Sequence, residues 1–166
     1  MKIATAREYG SPDRVRVEDV PTPTPEADEV LVRVRAASVN RADLDGMYPR
    51  WQFTRLFLGV RRPRLPWLGI DVAGTVEATG PEARRFKPGD DVFADIFSHR
   101  KKGGERMGLL VGWSPFPDKD VAELKELVAA GAIKPQIDRR FTLAETADAL
   151  RYVDQGKSRG KVVIIP

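Results

Sequence analysis

Hydrophobic and polar positions alternate most clearly over Glu29–Val39. Val30, Val32 and Val34 share one face there, and Leu31, Arg33 and Arg35 the other. A period of two is the signature of a strand. An apolar face backed by a polar one predicts an antiparallel sheet with one wet side. Shorter strands are predicted over Met1–Glu8 and Arg14–Val20, around the turn residues Gly10–Ser11–Pro12–Asp13. Pro21, Pro23 and Pro25 predict a stiff, extended spacer. Ile70–Ala78 reads as a strand, with Gly69 and Gly74 marking bends or close backbone approach. Phe86–Asp90 reads as a turn leading into a strand over Asp91–Ala94.

The period then lengthens. Asp118 is a suitable N-cap, Val121, Leu124, Leu127 and Val128 recur at helical spacing, and Gly131 is a stop. Thr142 and Glu145 have the spacing of a capping box before a second helix, with Ala147, Leu150 and Val153 as its stripe and Gly156 as its stop. Gly160–Ile165 reads as a final buried strand, and Asn40–Met47 as a short helix. Residues 48–68 form a long, aromatic, proline-broken stretch, and loops of that length in compact domains are functional or disordered. Residues 98–106 form a polar connector, and Met107–Trp113 reads as a further apolar strand. Numerous short strands plus two late helices predict an α+β, barrel-like domain.

A chain of 166 residues suits a single core. Its hydrophobic share of 42% and charged share of 31% are those of ordinary globular material. No apolar run approaches the roughly 18 residues of a membrane helix, so no membrane is expected. The opening MKIATAREYG lacks a signal-peptide profile. With no cysteine there is no disulfide, thiolate catalysis or Cys-ligated zinc, which fits a cytoplasmic location. The formal charge is +4, with basic clusters at Arg55–Arg64 and Arg100–Lys102. Solvated loops explain them better than nucleic acid, because no nucleic-acid fold motif accompanies the charge.

Four segments carry a resemblance: VLVRVRAASVNRADLDG (30–46), LPWLGIDVAGTVEATG (65–80), RFKPGDDVFAD (85–95) and DKDVAELKELVAAGAIKPQIDRRFTLAETADALRYVDQGKSRGKVVI (118–164). Together they resemble the zinc-independent medium-chain dehydrogenase/reductase family, which includes quinone oxidoreductases and enoyl reductases. The resemblance implies a GroES-like, partly open β-barrel with two C-terminal helices. In the family a nicotinamide-binding Rossmann domain is inserted between the two ends, and here that insert is almost absent. The implied organisation is one GroES-like domain built from 1–97 and 107–166, joined by connector 98–106. The family's return of the last strand beside the first implies that Lys161–Ile164 neighbours Lys2–Ala6.

Three departures follow. Zinc-dependent relatives hold a catalytic metal with Cys and a Gly-His-Glu triplet, but Ser38–Val39–Asn40 and Gly69–Ile70–Asp71 stand at those places. Tetrahedral zinc needs three or four N, S or O ligands, and the lone His99 sits in the basic connector, so no metal is expected. The Gly-rich phosphate turn is missing as well, since Gly103–Gly104 is followed by Glu105–Arg106 instead of a helix. Finally, a family strand normally found after VFAD is absent. Met107–Trp113 resembles the last Rossmann strand and, without its sheet, could join the barrel, pair with a second copy as a homodimer, or remain an exposed edge.

The family reaction is hydride transfer from a nicotinamide to a polarised alkene or quinone, with the protein supplying orientation. The resemblance places Asn40 in the nicotinamide cleft, where its amide could bond cofactor or a substrate carbonyl, or simply its own backbone. Asp43 could orient a loop or a substrate, or serve as a helix N-terminal carboxylate. Tyr48, Trp51 and Phe53 could roof an apolar pocket or anchor the long loop. Asp71 reads as structural, bonding neighbouring loop amides. Lys161 could approach a cofactor phosphate in a complete enzyme, or be a sheet-end lysine.

The leading expectation is a substrate domain lacking its nucleotide-binding half and without independent activity. It binds no cofactor tightly, whereas the full-length family uses NADPH or NADH. Its ligand would be a small apolar carbonyl or quinone. The alternative is a working quinone or enone reductase with weak or partner-supplied cofactor. Losing three charge-assisted phosphate bonds would weaken cofactor binding by about three orders of magnitude. A third possibility is a binding module presenting 55–64 and 107–113.

Overall fold

A computed structural model describes residues 1–49, 53, 55–64, 66–96 and 118–166, without the side chains of Phe57, Asp95 and residues 118–121. The described elements are strands β1 (Lys2–Thr5), β2 (Arg16–Asp19) and β3 (Val30–Val39), helices α1 (Arg41–Met47) and α2 (Arg55–Leu58), and strands β4 (Asp71–Thr79) and β5 (Asp91–Asp95). Helix α3 (Asp118–Ala129), strand β6 (Ile137–Thr142), helix α4 (Thr146–Asp154) and strand β7 (Lys161–Ile165) complete them. The architecture is α+β, as the hydrophobic pattern predicts, and among the described residues its sheets are open, with no closed barrel.

β1 and β2 form an antiparallel pair, joined through a single 3-10 turn at Pro12–Arg14. The other strands form one sheet in the order β5-β4-β3-β7-β6. Its neighbours run antiparallel except β6 and β7, which are parallel. A parallel pair needs a crossover, and α4 supplies it. The expected capping box starts a 3-10 turn, Leu143–Glu145, that leads into α4: Glu145 accepts from the Thr142 backbone N–H at 2.8 Å. Thr146, Ala149 and Leu150 are buried, and Ala147 and Val153 pack beside them.

Two apolar clusters hold the molecule. One joins Ala6, Val15, Val39, Leu44, Met47, Leu150, Val162 and Ile164. The other joins Val30, Val32, Val76 and Val92. Strand β3 serves both because its register against β4 slips between Val34 and Ala36. Such a bulge bends a strand and re-aims the side chains beyond it. Val30 and Val32 are buried before the slip, and Val39 is buried after it.

Three expectations need correction. Strand β7 pairs with β3 and β6, not with β1. The free edge of β1 is taken instead by Pro66–Leu68, through Ala6 N–H to Pro66 O at 2.7 Å and Leu68 N–H to Ala4 O at 3.3 Å. β7 is also not buried on both faces, since Lys161 and Ile165 are exposed while Val162 and Ile164 are buried. Lastly, the α3 stripe has the right spacing, yet Leu124, Leu127 and Val128 stay 46%, 38% and 42% exposed. Strand 107–113 and connector 98–106 lie outside the described residues.

Candidate functional site

The site is built where three strand ends meet. Ser38, near the end of β3, is paired with Asp71 at the start of β4 and with Val163 of β7. This register brings the first residue of β7, Lys161, to the β3–α1 junction. Ser38 donates its hydroxyl to Asp71 Oδ2. Asn40 Nδ2 donates to Asp71 Oδ2 at 2.9 Å and to Ser38 Oγ at 3.2 Å. Lys161 Nζ donates to Asn40 Oδ1 at 3.0 Å and approaches Asp71 Oδ2 to 3.4 Å.

Burial by itself would raise the Asp71 pKa. The Ser38 and Asn40 hydrogen bonds and the Lys161 charge outweigh it and hold the carboxyl below its ordinary 3.8. Asp71 is therefore an anion at neutral pH, and Lys161 is its counter-cation. The Lys161 side chain is still 55% exposed. An ammonium has three N–H donors. Two are directed to Asn40 and Asp71, which leaves one for an incoming oxygen. Asn40 differs: its amide hydrogens already face Ser38 and Asp71, so it orients Lys161 instead of meeting a carbonyl itself.

The donor set does not suit zinc. Among the described residues no three His, Cys, Asp or Glu side chains converge. Asp71 is the one anionic oxygen donor in the cluster, and an ammonium already sits beside it. A divalent cation there would meet like-charge repulsion and too few ligands.

Asp43 lies next to this cluster but faces inward and is buried at 6% exposure. Its Oδ2 accepts from the Asn40 backbone N–H at 2.8 Å, and its Oδ1 from the Gly69 backbone N–H at 2.9 Å. The carboxylate thus ties the start of α1 to the loop before β4. Gly69 adopts φ +91, in the region that favours glycine, and this lets its N–H turn toward Asp43. Asp43 positions Asn40.

Tyr48 ends α1 and packs against the larger apolar cluster, so it anchors the loop from inside. Its buried hydroxyl has no hydrogen-bond partner among the described residues. Burial, helped by the Asp154 carboxylate, pushes its pKa up to about 12. Phe53 is 61% exposed and does not share that environment. Trp51 lies outside the described residues.

The fit to a dinucleotide is equally clear in chemical terms. Such cofactors rest a pyrophosphate on a Gly-rich turn at a helix N-terminus after a strand. Among the described residues the β6–α4–β7 crossover is the strand–helix–strand unit with parallel strands. Its turn, Phe141–Thr142–Leu143–Ala144–Glu145, has no glycine. The Glu145 carboxylate already caps it, with Asp148 in the first turn of α4. A phosphate would meet negative charge there, so this turn does not fit the cofactor.

Asn40, Asp43 and Lys161 are thus brought together as sequence candidates, and Tyr48 and Phe53 are not. Sequence reasoning left out Ser38 and misjudged Asp71, which bonds side chains instead of loop amides. The available signal was that both stand in the two segments that replace metal ligands in zinc-dependent relatives.

Comparison with known proteins gives the following. Residues 71–164 match the family described as zinc-binding dehydrogenase. A quinone oxidoreductase of Lama guanicoe is 38% identical over 95 residues, covering 56% of this chain and 26% of that protein. A 2-methylene-furan-3-one reductase of Solanum lycopersicum is 32% identical over 123 residues, covering 74% of this chain and 30% of that protein. This chain therefore spans about a third or less of those two relatives. The solved quinone oxidoreductase from Coxiella burnetii shares the fold, with TM-score 0.75 at 15% identity over 100% of this chain and 99% of that one.

Proposed function

The chain belongs to the zinc-binding dehydrogenase family, in its quinone oxidoreductase-like medium-chain branch, and from that premise we propose that it is the substrate-binding half of an NAD(P)H-dependent quinone or enone reductase, without independent reductase activity. The observation that carries this reading is the half-exposed Lys161 ammonium, held by Asn40 and Asp71 with one N–H free for a ligand oxygen. A quinone or enone presents a carbonyl oxygen that can accept this bond. The charge of Lys161 stabilises negative charge developing on that oxygen, the role a metal has elsewhere. Lys161 touches the substrate. Asn40, Asp71, Ser38 and, through Asn40, Asp43 are positioning residues.

Lack of independent activity rests on two points. The α4 turn does not fit a pyrophosphate, and residues 97–117 are too few for a further βαβ unit of about 30 residues. A second reading is a reductase with weak or partner-supplied cofactor. It is favoured by the exposure of Lys161, which could serve a phosphate as well as a carbonyl.

The test is titration with duroquinone, which resists addition by amines, and separately with NADPH, both followed by tryptophan fluorescence. Saturable quinone binding is expected, weakened about ten-fold or more in Lys161→Met. No saturation is expected with NADPH up to millimolar concentration. Saturable NADPH binding in the micromolar range would overturn the inactive-half reading. Quinone affinity unchanged in Lys161→Met would overturn the role of Lys161.

A further inference from the structure

Residues 46–70 contain five arginines (Arg50, Arg55, Arg61, Arg62 and Arg64) and no Asp or Glu. In the described part of this stretch, large apolar side chains also point outward. Leu56 is 64%, Val60 63% and Leu58 40% exposed. Arg61, Arg62 and Arg64 are exposed too, and among the described residues none of them has an ion-pair partner.

This surface is held in shape. Tyr9 donates its hydroxyl to Gly59 O at 2.7 Å, and the Arg55 guanidinium lies 4.8 Å over the Tyr9 ring. Gly59 N–H reaches Arg55 O at 2.8 Å, and Arg64 N–H reaches Leu58 O at 2.7 Å. Gly59 has φ +118, and a Cβ there would lie 2.1 Å from Arg62 O, so this tight return needs glycine. The loop therefore presents exposed aliphatic side chains on a backbone hydrogen-bonded to itself, beside Arg61, Arg62 and Arg64, which have no ion-pair partner among the described residues.

Water is a poor environment for so much grouped apolar surface, and the arginines call for anions. We infer that residues 55–64 dock this protein onto the surface of an anionic lipid bilayer, with Leu56 and Val60 entering the headgroup–acyl boundary and Arg61, Arg62 and Arg64 contacting lipid phosphates. Interfacial binding of this kind combines apolar insertion with attraction to anionic lipids. Nucleic acid would use the arginines but gives no role to outward aliphatic side chains, since its single strands are recognised by stacking on aromatic rings. The stretch is too short to span a bilayer, so the contact is with one surface.

The experiment is sedimentation of the full chain with vesicles of phosphatidylcholine alone and of phosphatidylcholine containing phosphatidylserine. Binding is expected to the second kind, falling as ionic strength rises. Arg61→Gln/Arg62→Gln should lower the partition coefficient about five-fold per charge removed. Leu56→Ser/Val60→Ser should lower it about ten-fold or more with no charge change. These positions are exposed, and an unchanged circular dichroism melt will separate binding from folding. Failure to sediment with the anionic vesicles overturns the proposal. So does full binding by Leu56→Ser/Val60→Ser, because insertion would then have no part. Tighter binding to a single-stranded RNA oligonucleotide, insensitive to Leu56→Ser/Val60→Ser, would assign the surface to nucleic acid and also overturn it.

Discussion

Lys161 and Asn40 are 121 positions apart in the chain, and the Lys161 ammonium donates to the Asn40 carbonyl oxygen at 3.0 Å. The contact closes the domain across the β3–β7 seam. It also converts a strand-end asparagine into a support for a cation. Asp71 completes the arrangement by holding the Asn40 amide and the Lys161 charge on one oxygen.

Asp71 gives the domain a specific acid response. Its folded pKa lies below the ordinary 3.8. In that range the unfolded chain binds more protons, so stability rises with pH. The contribution is complete above the ordinary pKa and is lost as pH falls through the folded value. Urea midpoints measured from pH 6 downward should fall less steeply below pH 4 or so in Asp71→Asn than in the parent. Parallel curves would show that Asp71 has no such role.

Asp43 is expected to be the more costly carboxylate to remove. Asp43→Ala would leave the Asn40 and Gly69 N–H groups without their carboxylate partner, one of them at a helix start. Loss of a cap costs about 1 kcal/mol, and a buried unsatisfied donor about 1–3 kcal/mol. Denaturant unfolding should therefore show a loss of about 2–4 kcal/mol. Asp43→Asn keeps one acceptor oxygen and should lose less.

The two late helices should respond differently to the same substitution. Leu150 on α4 is 1% exposed, and Leu150→Ala should cost about 2–5 kcal/mol. Leu124 on α3 is 46% exposed, and Leu124→Ala should stay within about 0.5 kcal/mol of the parent. A large loss at Leu124, read by the same unfolding curve, would show that the α3 stripe is packed in solution.

Tyr48 should report from the alkaline side. Its hydroxyl titrates at about 12 in the folded protein against an ordinary 10.0. A raised pKa favours the folded state below the ordinary value, and the benefit disappears as pH rises through the folded one. Thermal stability should thus fall between pH 10 and 12 in the parent, and less so in Tyr48→Phe. At neutral pH the substitution should be close to neutral, since no hydrogen bond is lost among the described residues. Absorbance of the phenolate at 295 nm or so provides the direct titration.

Much of the fold was legible along the chain because local physics writes it there. The alternation of Val30, Val32 and Val34 survives as buried or partly buried positions of β3. The capping box at Thr142 and Glu145 starts a helix in the structure as it does on paper. Asn40 and Lys161 could each be nominated, but only one at a time. No motif or short spacing joins Lys161 to Asp71, 90 positions away.

By itself, then, the sequence determined the family, most element types (though not strand β6 or the short helix α2), the α+β class and the absence of cysteine ligands. Each depends on residue identity and short spacing. The tertiary structure alone decided three further matters. It placed β7 beside β3 and gave the edge of β1 to Pro66–Leu68. It turned Asp43 inward and left Lys161 outward. It left the α3 stripe exposed to solvent. These outcomes depend on strand register and on competition between distant segments for one edge or one face. No periodicity encodes such competition, since its outcome follows from the summed hydrogen bonds and apolar burial of the whole domain.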